Sequence, residues 1–333
     1  MKKYILFILI IAGALSAQIS KTGTTVAGFL KISPGARSTS MGGAFVSIAD
    51  DISAMWWNPA GMAQLEGNQA VFTHSAWLAG ITYNYGAVTI DLDNAGVLGL
   101  GMTFLSVGEM ERTTEASPDG TGEFFDAGSF ALNVSYARML TEAFSFGATF
   151  KYIQESIFNM TSNGIAFDVG MLYETPFAGT RLGMSMTNYG GKLKLDGDDT
   201  IAPIDIYPDI PGSNEATTAH LSLGEYDIPL TFRVGLSNDI MENEQFRLTI
   251  ATDAVIPNDN LIYANVGGEF AFKDLFFVRS GVRNLFLKDV DGGFTIGAGL
   301  NFEVQSFDLS FDYAYDDFGK LNNIQQFTLT LKF

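Results

Sequence analysis

The feature that most constrains this chain is a two-residue alternation of apolar and polar side chains, which recurs in stretches of about ten residues. In "SFDLSFDYAY" (306–315), Phe307 and Phe311 fall on one face, whereas Asp308 and Asp312 fall on the other. Successive side chains of a β-strand point to opposite sides, so this period predicts strands whose two faces meet different surroundings. The chain is therefore predicted to be all-β from about residue 68 onward.

Fourteen such segments follow one another, separated by turn residues. An even number of antiparallel strands can close into a barrel that has no unpaired edge. In the second segment the apolar residues change phase between Tyr85 and Val88, and this slip predicts a bulge near Gly86 and Ala87. The predicted strands cover residues 68–76, 81–91, 97–106, 127–138, 144–155, 164–174, 180–188, 229–237, 245–255, 261–272, 275–283, 293–302, 306–316 and 324–333.

A soluble β-sandwich is the alternative fold, because its core-facing residues also alternate with polar ones. Two observations favour a transmembrane barrel. The segments have the length of about 9–11 residues that tilted membrane-spanning strands need, whereas strands of soluble sheets usually have about 5–6. The short predicted turns also fall on one side of the sheet and the longest connections, 107–126 and 189–228, on the other. Bacterial outer-membrane barrels show this segregation, with the short turns in the periplasm.

Both ends of the chain carry features of an exported outer-membrane protein. Residues 1–17 combine Lys2 and Lys3 with an apolar run and a small-residue cleavage site after Ala17, which predicts a secretory signal peptide. The last strand resembles the assembly signal of bacterial outer-membrane barrels, because apolar residues occupy alternate positions up to a terminal aromatic: Phe327, Leu329, Leu331 and Phe333. The predicted location is the outer membrane of a Gram-negative-type bacterium.

Charge limits the partners and describes the lumen. The chain has 37 acidic and 19 basic residues and a formal net charge of −18, which argues against nucleic acid because phosphate contacts need clustered basic residues. Outer-membrane lipid is the predicted partner of the outward faces. Inward faces carry both signs in near balance, which predicts ion pairs or a plug, with solvated wall charges as the alternative. The candidate lumen charges are Arg233, Arg247, Arg279, Asp168, Asp253, Asp308 and Asp312.

Residues 18–67 do not alternate and are predicted to form an N-terminal hatch, a short and partly helical segment that plugs the barrel domain 68–333. Because the segment precedes the first strand, we expect it to start on the periplasmic side and to insert into the lumen. Trp56 and Trp57 are predicted to pack against the inner wall, and Pro59 to end the preceding helix. The alternative places the two tryptophans at the membrane interface, where aromatic residues also collect.

The hatch carries the strongest resemblance to known proteins. The stretch "GARSTSMGGAFVSIADDISAMWWNPAGMA" resembles the N-terminal signature of the PorV/PorQ family, within the FadL-type superfamily of outer-membrane transporters. Asn58, Pro59, Ala60 and Gly61 are similar to the Asn-Pro-Ala element of the FadL hatch. The fourteen predicted strands agree with that fold over the rest of the chain.

The resemblance implies two possible functions. PorV-like proteins act in type IX protein secretion, where they bind cargo at the outer membrane or serve as a scaffold, with secreted proteins and secretion-system components as partners. FadL-like members instead admit a hydrophobic small molecule, which requires an apolar pocket above the hatch. The inward apolar residues are candidates for lining such a pocket or for packing against the hatch: Leu105, Ile153, Leu172 and Phe277.

Catalysis is not predicted. The chain has no cysteine, and its two histidines, His74 and His220, lie in a strand and in a long connection. The sequence contains no nucleophile elbow, no phosphate-binding loop and no spaced metal ligands. We therefore predict no catalytic residue, no metal site and no cofactor.

Overall fold

A computed structural model describes residues 21–210, 212, 216–288, 290–304 and 307–333. The predicted signal peptide, residues 1–17, lies outside the described residues. The fold is a closed antiparallel β-barrel whose lumen contains the N-terminal segment. Among the described residues, helices are short, and none has the length and apolar character needed to cross a membrane.

Fourteen strands, β1–β7 and β13–β19, form the wall, and five short strands, β8–β12, lie in the connection between β7 and β13. The strands are β1 (Gln69–Ala76), β2 (Thr82–Asp91), β3 (Val97–Glu111), β4 (Phe124–Thr141), β5 (Phe144–Ile157), β6 (Met160–Glu174), β7 (Arg181–Gly190), β8 (Leu193–Lys194), β9 (Asp196–Gly197), β10 (Ile201–Ile204), β11 (Thr217–His220), β12 (Glu225–Tyr226), β13 (Thr231–Glu242), β14 (Phe246–Pro257), β15 (Tyr263–Phe272), β16 (Phe276–Leu285), β17 (Phe294–Val304), β18 (Phe307–Asp317) and β19 (Asn323–Lys332).

Two short α-helices and six short 3-10 helices complete the described elements. The α-helices are α1 (Ala36–Ser40) and α2 (Ala54–Trp57), both in the N-terminal segment. The 3-10 helices are Gly28–Lys31, Pro59–Gln64, Leu78–Gly80, Asp93–Ala95, Asp198–Thr200 and Gly319–Leu321.

The barrel closes where the first strand meets the last. β1 pairs with β19 in a register that sets Gln69 opposite Lys332, and β7 pairs with β13 across the longest connection, with Thr187 opposite Thr231. Every wall strand is antiparallel to its neighbours. Closure pairs the backbone groups of both would-be edge strands, which is what a wall surrounded by hydrocarbon requires. The prediction of an all-β, fourteen-stranded antiparallel barrel is confirmed.

The two faces of the wall differ as the alternation predicts. On β18, Phe307 and Phe311 are exposed on the outside of the barrel, whereas Asp312 and Asp316 are buried inside it. The outward apolar side chains remain exposed on the surface of the protein, as expected for a wall that lipid surrounds.

The predicted bulge in the second strand is wrong. β2 pairs in unbroken register with β1 from Thr82 to Thr89, and with β3 from Thr82 to Asp91. Tyr83 and Tyr85 point into the lumen and are completely buried, whereas Val88 points outward. The apolar residues change phase because large aromatic residues are needed on the inner face, where the N-terminal segment packs.

The two ends of the barrel differ in the length of their connections. One end, called here the inner end, has short turns, such as residues 142–143 between β4 and β5 and residues 243–245 between β13 and β14. The opposite end, the outer end, bears the long connection 191–230. The predicted loop 107–126 is shorter than expected, because β3 and β4 continue as a paired hairpin to Glu111 and from Phe124, past a bulge between Val107 and Met110. The apolar alternation of the sequence ends earlier, so it did not predict these extensions.

The N-terminal segment enters the barrel from the outer end, not from the periplasmic side as expected. Thr25 forms a parallel bridge with Asp227, and the Val26 amide donates a hydrogen bond to the Asp227 carbonyl at 3.0 Å. Lys31 pairs with Asp259, in the outer connection after β14, at 2.7 Å. Only the last residues of the segment must lie at the inner end, because they continue directly into β1. The residues before them are numerous enough to cross the whole lumen.

Candidate functional site

The described part of the N-terminal segment, residues 21–67, is called the hatch below, and its aromatic core contacts the barrel wall. Trp56 and Trp57 are buried and meet edge to face, with ring centroids 4.7 Å apart. The Arg233 guanidinium on β13 lies 5.0 Å from the Trp56 ring centroid and 5.4 Å from that of Trp57. Phe45 packs against Trp57 at 6.0 Å. The tryptophans thus lie against the inner wall rather than at the membrane interface.

Asn58 joins two parts of the hatch to the wall. Its side-chain amide donates to the Val46 carbonyl at 2.8 Å and to the Met171 carbonyl on β6 at 3.1 Å. Its carbonyl oxygen accepts the Ala60 amide at 3.2 Å, which caps the 3-10 helix that Pro59 begins. Helix α2 ends at Trp57, and Pro59 occupies the first turn of the next helix, where its missing N–H is no loss. The hatch motif thus acts as a turn and as a bridge to the wall.

Glycines on the wall make this close approach possible. A Cβ atom at Gly147 would lie 2.4 Å from the backbone of Pro59, and one at Gly170 would lie 2.0 Å from Asn58 Oδ1. Within the hatch, a Cβ at Gly61 would lie 1.7 Å from the Ala49 carbonyl oxygen. Gly147 lies on β5 and Gly170 on β6. Because these two wall positions carry no side chain, the hatch can contact both strands directly.

Glu269, on β15, is the centre of an ion-pair network towards the inner end of the lumen. Its carboxylate accepts hydrogen bonds from Arg37 Nε at 2.9 Å and Nη2 at 3.2 Å. It also accepts one from Arg279 Nε at 2.6 Å, and Arg247 Nη1 lies 3.3 Å away. Arg279 in turn pairs with Asp312. Three of the candidate lumen charges therefore belong to one cluster, as expected of desolvated charges that need partners.

Arg37, which sequence analysis missed, connects this network to the hatch. It lies on α1 and also pairs with Asp50 and Asp51 in the hatch. Burial alone would lower the pKa of the Arg37 guanidinium, but the charges of Asp50, Glu269 and Asp51 raise that pKa above its ordinary value. The signal in the sequence was a basic residue followed by the Asp50-Asp51 pair in the N-terminal segment, which lacks the strand alternation that marks the other lumen charges.

The three acidic candidates Asp253, Asp168 and Asp308 lie outside this cluster. Asp253 accepts hydrogen bonds from the amides of Phe45 and Val46 at 2.8 and 3.0 Å, so it holds the hatch backbone. Asp168 pairs with Lys151 at 2.7 Å in the wall. Asp308 is exposed and lines a cavity at the inner end. The structure brings Arg247, Arg279 and Asp312 together but leaves Asp168, Asp253 and Asp308 apart from them.

Polar groups line two of the cavities that adjoin the hatch in the described part of the chain. One of about 470 Å³ opens at the inner end and includes Arg37, Asp308 and Phe277 in its lining. The other, of about 90 Å³, lies on the outer side of the tryptophans. Of the inward apolar candidates, Ile153 packs with Phe29 and other residues of the hatch rather than lining either cavity. Within the described part of the chain, no three His, Cys, Asp or Glu side chains are placed to hold a metal ion.

The side chains of the predicted assembly signal lie on the lipid-facing side of the terminal strand. Phe327, Leu329 and Phe333 are exposed on the outside of β19 and the terminus, and Leu331 is half-buried on the same face. This arrangement is compatible with the proposed assembly signal, whose role stays a prediction.

Together, the closed wall and the packed hatch define the chain as a plugged, fourteen-stranded outer-membrane barrel. Solved structures share this fold. The CymD monoaromatic hydrocarbon channel is 14% identical with a TM-score of 0.56, over 90% of this chain and 96% of that one. The toluene transporter TbuX of Ralstonia pickettii is 12% identical with a TM-score of 0.54, over 89% and 96%. The toluene transporter TodX of Pseudomonas putida is 15% identical with a TM-score of 0.54, over 89% of this chain and 96% of that one. At these identities the likeness is one of fold.

The sequence identifies the family within this class. The family model described as "Type IX secretion system protein PorV" matches residues 15–206. The match covers more than half of the 333 residues and includes the hatch with the first seven strands. The chain therefore belongs to the PorV family of outer-membrane barrels. A search of curated proteins finds no match.

Proposed function

We propose that this barrel serves type IX protein secretion by binding secreted cargo, or other secretion components, at its outer end, as a shuttle or scaffold. Membership of the PorV family supports the secretion role. The chain itself carries out no chemical step in this proposal, and it needs no cofactor.

One observation carries the docking role: the connection 191–230, called the outer rim below, exposes large apolar side chains beyond the ends of the strands. Exposed apolar groups outside lipid are typical of protein contact sites. The apolar residues are Ile201, Ile204, Ile206, Tyr207, Ile210, Leu221 and Tyr226. Acidic residues lie among them and would steer a partner by charge: Asp196, Asp198, Asp199, Asp205, Asp209, Glu225 and Asp227.

The alternative, uptake of a hydrophobic small molecule, has less support. Such a function needs an apolar pocket of a few hundred Å³ on the outer side of the hatch. The cavity on that side measures about 90 Å³, and charged or polar residues such as Arg233, Arg283 and Asp316 contribute to its lining. Fold likeness to hydrocarbon channels is therefore the main support for this alternative.

The roles of the remaining segments complete the proposal. Residues 1–17 are removed on export, residues 18–67 act as the hatch, and residues 68–333 form the barrel. Asn58 and Pro59 hold the hatch against the wall, a role supported by the hydrogen bonds of Asn58. The lumen charges fix the plug, and the terminal aromatic and aliphatic residues guide assembly.

The test compares two variants of the full-length protein recovered from native outer membranes. In the first, Ile206→Ser with Ile210→Ser makes the outer rim polar; in the control, Leu321→Ser changes an exposed leucine on the short connection after β18. We expect secreted proteins that share a common C-terminal domain to co-purify with the wild type and the control, and to be lost from the first variant. Recovery of a bound hydrophobe with no protein partner would favour uptake instead.

A further inference from the structure

A buried arginine without a carboxylate partner lies beside the small cavity on the outer side of the hatch. Arg233 is only 8% exposed. Its Nη1 donates to Thr187 Oγ1 at 3.1 Å, and its guanidinium lies over Trp56 and Trp57. Among the described residues, no carboxylate oxygen lies within 4.0 Å of the guanidinium. A desolvated charge is costly unless it is paired, and several other buried charges of the lumen do have an ion-pair partner, such as Asp168 with Lys151 and Glu269 with Arg279.

The acidic groups near Arg233 have ion-pair or hydrogen-bond partners of their own. Asp316 pairs with Arg283 at 2.9 Å, and Asp168 pairs with Lys151 at 2.7 Å. Asp253 Oδ2 accepts two amides of the hatch. Asp253 Oδ1 and Asp316 Oδ1 are buried without a hydrogen-bond partner within the described structure, but neither oxygen lies within ion-pair distance of Arg233, so these carboxylates attract its charge only from farther away.

The cavity has the size and the donors for a small anion. Its volume of about 90 Å³ holds about three water molecules, each of which takes about 30 Å³. Arg233, Arg283 and Asn284 contribute to its lining. The Arg283 Nε atom is buried and has no hydrogen-bond partner within the described structure. Lys31, also in the lining, is half exposed at 49% and marks an opening towards the outer end.

We propose that this cavity binds an oxyanion, either a free ion or a phosphate or carboxylate group of a larger molecule that arrives from outside the cell. One oxygen accepts hydrogen bonds from Arg233, and Arg283 Nε donates to the same group. Charge-assisted bonds of this kind are stronger than neutral ones. The site is too small for an acyl chain and lies apart from the outer rim, so it is separate from the proposed cargo surface.

The test is calorimetric titration of the detergent-solubilised full-length chain with inorganic phosphate in low-chloride buffer, with acetate as a second arm. We expect binding of at least one of the two ions, and the stronger of them identifies the ligand group. Arg233→Gln should weaken that binding about tenfold or more, the size of a lost hydrogen bond to a charged group. Lys320→Gln, which removes an exposed positive charge on the outer connection after β18, should leave it unchanged.

A second variant keeps the test decisive if Arg233→Gln fails to fold. Arg283→Lys keeps a positive charge for Asp316 but removes the buried Nε donor, and it should also weaken anion binding about tenfold. Binding of neither ion to the wild type would overturn the proposal. So would a binding constant that stays the same in Arg283→Lys and in folded Arg233→Gln.

Discussion

Arg37 in the hatch donates two parallel hydrogen bonds to Glu269 on the barrel wall, at 2.9 and 3.2 Å. A guanidinium and a carboxylate match in this geometry, which fixes direction as well as distance. The contact links residues 232 positions apart in the sequence and ties the plug to the strand that carries the ion-pair network. The first prediction concerns this contact.

Glu269→Gln should loosen the hatch. The substitution leaves Arg37, Arg279 and Arg247 close together without their shared negative charge, and breaking a buried ion pair costs about 3–5 kcal/mol. We expect a lower temperature for the heat-induced mobility shift on SDS gels and a higher conductance in planar bilayers. The control is Arg112→Gln, which breaks an exposed pair with Glu123, worth about 0–1 kcal/mol. Equal behaviour of the two variants would contradict the proposed role of Glu269.

Asn58→Ala combined with Pro59→Ala should leave barrel assembly intact and change lumen permeability. The substitutions remove the hydrogen bonds to Val46 and Met171 and the residue that begins the next helix. The measurement is conductance in planar bilayers, together with heat-modifiable folding on gels. Asn163→Ala, at an exposed position of β6, is the matched control. Unchanged conductance with normal folding would count against the placement of this motif in the lumen.

Gly147→Ala should displace the hatch without preventing barrel formation. The added Cβ would lie 2.4 Å from the Pro59 backbone, and overpacking of this kind costs about 1–3 kcal/mol. We expect a lower mobility-shift temperature in Gly147→Ala than in Gly108→Ala, where a Cβ would meet nothing within 4 Å. If both variants keep the wild-type temperature, the hatch does not contact β5 as closely as described.

The start of the hatch should be accessible from outside the cell. The chain has no cysteine, so single-cysteine labelling reports one site at a time. Lys21→Cys, at an exposed position before the bridge to Asp227, should react with an impermeant maleimide on intact cells. Asn94→Cys, in the inner turn between β2 and β3, should react only after the outer membrane is opened. Labelling of Lys21→Cys only in opened cells would restore the periplasmic start of the hatch.

The sequence predicted most of the wall and part of the plug. Side-chain alternation is a local property that lipid and a packed lumen impose on each strand, so fourteen strands were readable one by one. Asn58 and Trp57 were recognisable as hatch residues from their motif. The bulge near Tyr85 was predicted wrongly because apolar residues face both sides of β2. Alternation does not distinguish an apolar side chain that faces lipid from one that packs inside the lumen.

The sequence alone therefore determined the barrel, its strand order and its family, because these follow from short-range periodicity and a contiguous motif. Only the tertiary structure decided that Arg37 completes the Glu269 cluster, that the hatch enters from the outer end, and that Arg233 has no acidic partner among the described residues. Each of these depends on contacts between residues far apart in the chain. Such contacts are set by how the plug fills the closed lumen, and no local pattern records which charge meets which.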